Sequence, residues 1–289
     1  MAPFRLPSAT RLGRVGLTAA DVAALTDFYT DVIGLSVHRQ SEARVVIGAE
    51  DGPSILVVCA TEAPARPADA AGLFHLAIRV PDRAALGAVL ERVEASWELL
   101  GASDHGVSEA LYLRDPEGNG VEVYRDRPKA EWPRDETGAI SMYTRPLDLA
   151  ALRAAAAADE ALDAATIGHI HLEVTDIEAA RQTYVDGLGF EVMDTWGPDE
   201  APDALFVAAG GYHHHVGVNT WEQRTSPMTG RGLAWFEVVV PEATLATLET
   251  TLEQLSGAAA SVTHEDGRLT VTDPDGIVVR IRSGTASDG

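Results

Sequence analysis

The sequence predicts an α+β protein made of four similar modules, each a strand followed by a helix and then further strands. Two observations carry this. The first is an internal repeat. Gly13-Arg14-Val15-Gly16-Leu17 leads to Asp21, Tyr29 and Gly34-Leu35, while Gly168-His169-Ile170-His171-Leu172 leads to Asp176, Tyr184 and Gly189-Phe190. Every internal spacing is equal and the copies lie 155 residues apart. The second is a pair of matching segments. Gly72-Leu73-Phe74-His75-Leu76 through Val80-Pro81 parallels Gly232-Leu233-Ala234-Trp235-Phe236 through Val240-Pro241, and each leads on to an Asp-Pro-(Glu/Asp)-Gly turn, at Asp115 and at Asp273.

Taken in order, module 1 covers roughly 9–60 and module 2 roughly 70–126, and these form an N-terminal half, 9–126. Modules 3 and 4, roughly 165–222 and 230–284, form a C-terminal half, 165–284. Helices are expected over Asp21 to Val32 and Asp176 to Gly187. Each opens on an Asp suited to the N-cap and stops near a glycine suited to the C-terminal cap. Further helices are expected from Arg83 to Val93 and from Ala243 to Leu255. The segment 127–164 links the halves, and its alanine-rich part, Leu149 to Ala164, reads as a connecting helix. The small and polar tail from Ser283 is expected to fray.

The 289 residues suffice for two domains, and 46% hydrophobic content is ordinary for a globular protein. Net charge is −22, spread along the chain, which argues against nucleic acid and anionic membrane as partners. A single lysine, Lys129, stands beside 21 arginines and 44 acidic residues, a balance that suits a very salty cytoplasm. Cys59 lies in an apolar run and is expected to be a buried strand residue. Being alone, it excludes an internal disulfide and a thiolate zinc site. With no apolar stretch long enough to span a bilayer and no N-terminal leader, the expectation is a soluble, cytoplasmic protein. A homo-oligomer is left open.

One stretch, Ser103 to Tyr124, concentrates candidate chemistry: His105, Tyr112 and Glu122 close to the Asp115–Gly120 turn. Alternation in Val121-Glu122-Val123-Tyr124 reads as a strand, with Glu122 and Tyr124 on one face. A strand-borne Glu alone is ordinarily solvated, and a single His such as His75 on an apolar strand is ordinarily a core residue. A metal-ligand reading therefore needs partners elsewhere in the chain.

The phrase Gly168-His169-Ile170-His171-Leu172-Glu173-Val174-Thr175-Asp176, followed by Tyr184 and Gly187-Leu188-Gly189-Phe190, resembles the vicinal oxygen chelate superfamily, as do the repeated Asp-Pro-(Glu/Asp)-Gly turns. That superfamily contains glyoxalase I, bleomycin-resistance proteins and extradiol dioxygenases. Gly101 through Tyr112, Asp115 through Gly120, and Gly210 through Trp221 resemble the bacillus-type catechol 2,3-dioxygenases more closely. The resemblance covers nearly the whole chain. It implies βαβββ modules paired into two cupped, eight-stranded mixed sheets. Metal ligands would sit on the first strand of each module and on the last strand of one.

At the first-strand ligand position the four modules carry Arg14, His75, His169 and Trp235. At the last-strand position modules 2 and 4 carry Glu122 and Arg280. Only modules 2 and 3 together give two histidines and a carboxylate, the set that a non-haem Fe(II) oxygenase needs. The expectation is therefore a crossed arrangement, with His75, His169 and Glu122 as ligands between modules 2 and 3 and a metal-free cleft between modules 1 and 4. The repeat alignment selects His169 as ligand and expects His171 to face away.

The resemblance also implies three acid/base and hydrogen-bonding groups. Tyr212-His213-His214-His215 is placed on the fourth strand of module 3, with His213 and His215 on one face and His214 in the cleft as acid/base. His105 would donate a hydrogen bond and Tyr112 would hold a substrate oxygen. Tyr112 could instead simply pack in its strand, Asp104 and Ser108 could be loop caps, and Asn219 and Trp221 could be structural or pocket-lining. The implied activity is extradiol cleavage of a catechol with O2, using Fe(II), with Mn(II) as the other ion. One rival is a glyoxalase-like isomerase or lyase, whose second Glu would fall near Val216, where no carboxylate stands. The other is a non-catalytic binding protein of the bleomycin-resistance type, which the full ligand set argues against.

Overall fold

The computed structural model describes residues 4–156, 162–198, 201–255, 261–265 and 268–284. Module 1 is β1 (Arg11–Ala19), α1 (Val22–Asp27), β2 (Ser36–Ser41), β3 (Arg44–Gly48) and β4 (Ser54–Ala60). Module 2 is β5 (Gly72–Arg79), α2 (Arg83–Ser96), β6 (Gly101–Asp104), β7 (Ser108–Arg114) and β8 (Gly120–Asp126). After a connection with β9 (Arg145–Pro146) and α3 (Leu149–Arg153), module 3 is β10 (Thr166–Glu173), α4 (Ile177–Arg181), β11 (Glu191–Trp196), β12 (Ala204–Ala208) and β13 (Val216–Asn219). Module 4 is β14 (Leu233–Val240), α5 (Glu242–Leu255), β15 (Ser261–Glu265), β16 (Arg268–Thr272) and β17 (Val278–Ser283). Each module is thus βαβββ, as the resemblance implies.

In every module the first strand lies beside the last, then the third, then the second. First and last strands run parallel, as β5 with β8 and β14 with β17, because the helix carries the chain back across the sheet. The strands form two mixed sheets of eight and nine strands. The eight-stranded sheet contains β1–β4 and β14–β17, and the nine-stranded sheet β5–β9 and β10–β13. The ninth strand corrects the expectation of two eight-stranded sheets. Pro146 and Arg145 of the linker pair with Ser103 and Asp104, covering the edge of β6.

The chain divides into two compact units. One, the amino-terminal unit, is Leu17–Glu62 with His75–Gly168; the other, the carboxy-terminal unit, takes in residues up to Gly16, Ala63–Phe74 and residues from His169 on.

Asp caps open the helices as expected: Asp21 accepts from the Ala24 amide at 2.9 Å, and Asp176 from Glu178 and Ala179 at 2.7 and 3.0 Å. The two repeat helices differ from the expectation beyond their first turns. Each widens into a π-helical turn, Phe28–Ile33 and Gln182–Gly187, which carries the repeat tyrosine. Gly34 ends the first at φ +95°, a conformation glycine adopts without strain. Helix α2 runs three residues past Val93, and the linker helix is short, Leu149–Arg153 instead of Leu149–Ala164, part of which lies outside the described residues. Cys59 is in β4 as expected but is half-buried, not buried. Among the described residues no helix is long and apolar enough to cross a membrane. The tail expected to fray lies outside them after Gly284.

Candidate metal centre

In the amino-terminal unit, β5 and β8 lie parallel with Ala77 opposite Glu122. The His75 Nε2 lies 3.1 Å from Glu122 Oε2. Glu122 is 2% exposed, so it is not the solvated residue that its type alone suggested, and His75 is buried at 8%. Antiparallel pairing of β7 with β8 sets Tyr112 directly opposite Glu122. The Tyr112 hydroxyl lies 2.8 Å from His105 Nε2. Burial, with the charge and hydrogen bond of Glu122, pushes the Tyr112 hydroxyl well above its ordinary value, so it stays protonated and donates. His105 Nδ1 lies 3.0 Å from the Tyr143 carbonyl, in the linker segment after β8. Asp104 is a loop cap, accepting from the Gly106 amide at 2.9 Å, and Ser108 is buried in β7. Tyr112 also packs against Ala77, Ala110 and the fully buried Tyr124.

In the carboxy-terminal unit, His169 is 2% exposed on β10. The His214 ring lies 4.1 Å from the His169 ring, centroid to centroid, and the His213 ring 6.1 Å from it. His213 Nδ1 and His214 Nδ1 are 2.8 Å apart, so one of them donates to the other. The histidine run is not on a strand. Gly210 and Gly211, at φ +62° and +65°, turn the chain away from β12, and Tyr212–His215 form a loop that ends where β13 begins at Val216. Alternating faces therefore do not apply to it. His215 accepts from the Ala209 amide at 3.2 Å and lies against Tyr212 and Phe190.

The expected facing of His171 is also overturned. Residues two apart on a strand share a face, and Phe206 touches both His171, at 5.6 Å, and His214, at 5.2 Å. His171 and His169 are therefore on one side of β10. Sequence reasoning missed His171 and Phe206 as site neighbours, and the two-residue spacing was the signal that could have found them. Asn219 accepts from the Trp221 amide through Oδ1 at 3.1 Å, which aims its Nδ2 at His171 Nε2, 3.0 Å away.

His75 and Glu122 of the amino-terminal unit and His169 of the carboxy-terminal unit are the candidate ligands. Two imidazoles and a carboxylate form the donor set of a mononuclear divalent transition-metal site. All three residues are buried, and a divalent cation would offset the cost of holding the Glu122 charge away from water. These residues fit such an ion.

The corresponding positions of module 4 and of β1 hold other chemistry. Arg14 clamps the buried Glu237 by two bonds, Nε to Oε2 at 3.1 Å and NH2 to Oε1 at 2.8 Å, while the Arg14 amide donates to Oε2 at 3.1 Å. Burial alone would raise Glu237, but the Arg14 bonds and charge bring it below its ordinary value. The Arg280 guanidinium stacks 4.2 Å over the Trp235 ring. Gly16 leaves room for that indole, since a Cβ there would stand 2.3 Å from it. Cations and an indole stand where imidazoles and a carboxylate would be needed.

Comparison with known proteins agrees with this architecture. A model of the Glyoxalase/Bleomycin resistance protein/Dioxygenase superfamily matches residues 11–123 and 166–281. The chain is 37% identical over 280 residues to "Catechol-2,3-dioxygenase" of Bacillus subtilis (strain 168), covering 92% of this chain and 94% of that protein. A solved structure from Bacillus subtilis subsp. subtilis str. 168, assigned provisionally as a dioxygenase, superposes with TM-score 0.64 at 12% identity over 97% of this chain and 86% of the other. Glyoxalase I from Zea mays superposes at TM-score 0.58 and 13% identity over 94% and 92%. These two likenesses show the fold. With its paired βαβββ modules and family match over both halves, the chain belongs to the Glyoxalase/Bleomycin resistance protein/Dioxygenase superfamily.

Proposed function

We propose that the protein is an extradiol ring-cleaving dioxygenase acting on a catechol, with Fe(II) held by His75, Glu122 and His169. What carries this reading is, in one unit, the buried His75–Glu122 pair beside the His105–Tyr112 pair and, in the other, the buried His169 beside His214. The relative named "Catechol-2,3-dioxygenase" supports the class of reaction. When bound, the iron would supply Lewis acidity and one-electron chemistry toward O2.

The residues then divide the work. The catechol must lose protons, and His214, beside His169, is placed to take one at a ring nitrogen while His213 holds the other nitrogen, Nδ1. The Tyr112 hydroxyl donates to His105 Nε2, 2.8 Å away, and the Tyr112 oxygen so oriented accepts a hydrogen bond from a substrate hydroxyl, holding the substrate oxygen in place. His105 is itself positioned through Nδ1 at the Tyr143 carbonyl. The ring opens beside the diol to a hydroxymuconic semialdehyde, with both oxygen atoms of O2 retained in the product. The glyoxalase-like reading lacks its second carboxylate, because the position near Val216 carries none.

The test is anaerobic loading with Fe(II), then catechol and air. The expected result is stoichiometric oxygen uptake with a yellow ring-cleaved product. Absence of oxygen uptake with every catechol would overturn the reading. Higher turnover with Mn(II) than with Fe(II) would replace the ion but keep the reaction.

A further inference from the structure

The linker after β8 does more than join the two halves of the chain. Within the amino-terminal unit it grips the turn that carries His105. That turn runs from Asp104 to Ser108 and is closed by the His105 amide, which donates to the Ser108 carbonyl at 2.9 Å. Arg127, just after β8, holds it from one side. The Arg127 amide donates to the Val107 carbonyl at 2.8 Å, and the guanidinium to Asp104 Oδ2 at 2.9 Å. A hairpin of residues 133–141, in which the Ser141 amide donates to the Pro133 carbonyl at 2.9 Å, closes on it from the other side. Gly106 has φ +77°, and a Cβ there would stand 2.7 Å from the Tyr143 ring and 2.8 Å from Pro133 Cγ. The Arg145 guanidinium lies 4.3 Å over the Tyr143 ring, while Arg145 and Pro146 pair with Asp104 and Ser103.

This grip leaves the proton of a neutral His105 ring one place. His105 Nδ1 lies 3.0 Å from the Tyr143 carbonyl oxygen, which can only accept, so Nδ1 carries the proton. Nε2 is then left with its lone pair, and the Tyr112 hydroxyl, 2.8 Å away, donates to it. Thr144 Oγ1, 3.3 Å from Nδ1, can give or take a hydrogen bond and selects neither tautomer; the carbonyl does. We infer that Tyr143 is a positioning residue whose carbonyl, held in place by the linker, locks His105 in its Nδ1–H tautomer. The lock fixes the direction of the hydrogen-bond chain that runs from a substrate hydroxyl through Tyr112 to His105. This rests on the dioxygenase reading and deepens it. With the linker displaced, the ring can carry its proton on Nε2 and donate to Tyr112, which turns that hydroxyl from an acceptor for the substrate into a donor.

The test reads tautomer and turnover separately. Protein labelled with ¹⁵N-histidine and loaded with diamagnetic Zn(II) is followed by ¹⁵N–¹H correlation spectroscopy, and the His105→Asn variant identifies the His105 signals. Wild type should show a single Nδ1–H tautomer at His105, and Tyr143→Ala should bring in the Nε2–H form. In the Fe(II)-loaded enzyme Tyr143→Ala should lower kcat about ten-fold with KM and bound iron little changed. Tyr143→Phe, which keeps the ring against Gly106, should restore most of that loss. In a His105→Asn background Tyr143→Ala should cost nothing further, which a merely structural role would not produce. Arg145→Ala, at an exposed position, should shift the tautomer in the same direction and serves if Tyr143→Ala does not fold. An Nε2–H tautomer in wild type, an unchanged tautomer in both the Tyr143→Ala and Arg145→Ala variants, or additive losses with His105→Asn would overturn the inference. A locked Nδ1–H tautomer with no turnover of any catechol would instead overturn the dioxygenase reading and leave the tautomer lock standing.

Discussion

The Tyr184 hydroxyl lies 3.0 Å from Asp273 Oδ2, both fully or nearly fully buried, and so ties a π-helical turn of module 3 to the Asp-Pro-Asp-Gly turn of module 4. Tyr29 repeats the contact at 3.2 Å to Asp115 in the amino-terminal unit. In both turns the Asp Oδ1 also accepts two backbone amides, Glu117 and Asn119 for Asp115, and Asp275 and Ile277 for Asp273. Burial dominates: Asp115 is pushed up to about 6 and Asp273 to about 7, despite those bonds.

The first prediction follows from the sign of these shifts. An Asp that holds its proton more tightly folded than unfolded favours the fold below its unfolded value near 4, and that stability is lost as pH rises through the folded value. Between pH 4 and pH 7 the two turns should therefore lower stability as pH rises, by on the order of 3 kcal/mol for Asp115. Asp273→Asn should flatten the slope of chemical-denaturation stability against pH across this window. Tyr184→Phe should cost about 1–3 kcal/mol and cost more at pH 8 than at pH 5, because the hydroxyl supports the charged carboxylate. An identical pH slope in wild type and Asp273→Asn would refute this.

Much of the fold was legible because the repeat spacings, the Asp caps and the Asp-Pro-(Glu/Asp)-Gly turns are local features. What failed was non-local. Equal spacing of Asp21 to Tyr29 does not reveal that the helix widens after Asp27. The two-residue strand at Arg145 is too short to carry a period and exists only because β6 has an edge to pair. At the site, Glu122 could be singled out only by comparing modules, since alternation alone cannot tell a buried strand carboxylate from a solvated one. The histidine run was read as strand although Gly210-Gly211 was the visible breaker in front of it.

A second prediction separates the two kinds of first-strand position. His169→Ala, His75→Ala or Glu122→Gln should reduce bound iron to below about one tenth of an equivalent, because each removes one of three donors. Arg14→Ala should keep iron per folded molecule unchanged. Its cost falls on stability, about 3–5 kcal/mol, because Glu237 is left buried without its clamp. Metal analysis alongside thermal unfolding checks both. Iron loss from folded Arg14→Ala protein would show that the ligands had been misassigned.

The third concerns the hydrogen-bonding pair. Tyr112→Phe should keep iron and lower kcat on the order of 10²-fold, the scale of one lost hydrogen bond at a reacting oxygen. His105→Asn should lower kcat less, since it acts on the reacting oxygen through Tyr112. His214→Asn should cost about 10²–10⁴-fold with iron retained. Steady-state kinetics on iron-quantified protein decides this, and a His105 variant weaker than the Tyr112 variant would reverse their order.

The last prediction lies at Gly168, one residue before the proposed ligand His169. A Cβ there would stand 1.7 Å from the Tyr124 hydroxyl oxygen and 2.7 Å from its Cζ. Tyr124 has no exposed surface and packs with Ala77 and Ala110 against Tyr112, so it cannot swing aside cheaply. Gly168→Ala should therefore destabilise by about 1–3 kcal/mol. It should also disturb Tyr112, which shares that cluster, and so lower kcat with iron still bound. The closest clash is with the hydroxyl, so adding Tyr124→Phe should recover part of both losses, the Cζ contact keeping the recovery incomplete. Urea unfolding and kinetics of the single and double variants test this coupling. Strictly additive losses would mean that Gly168 and Tyr124 do not meet and that glycine serves another purpose here.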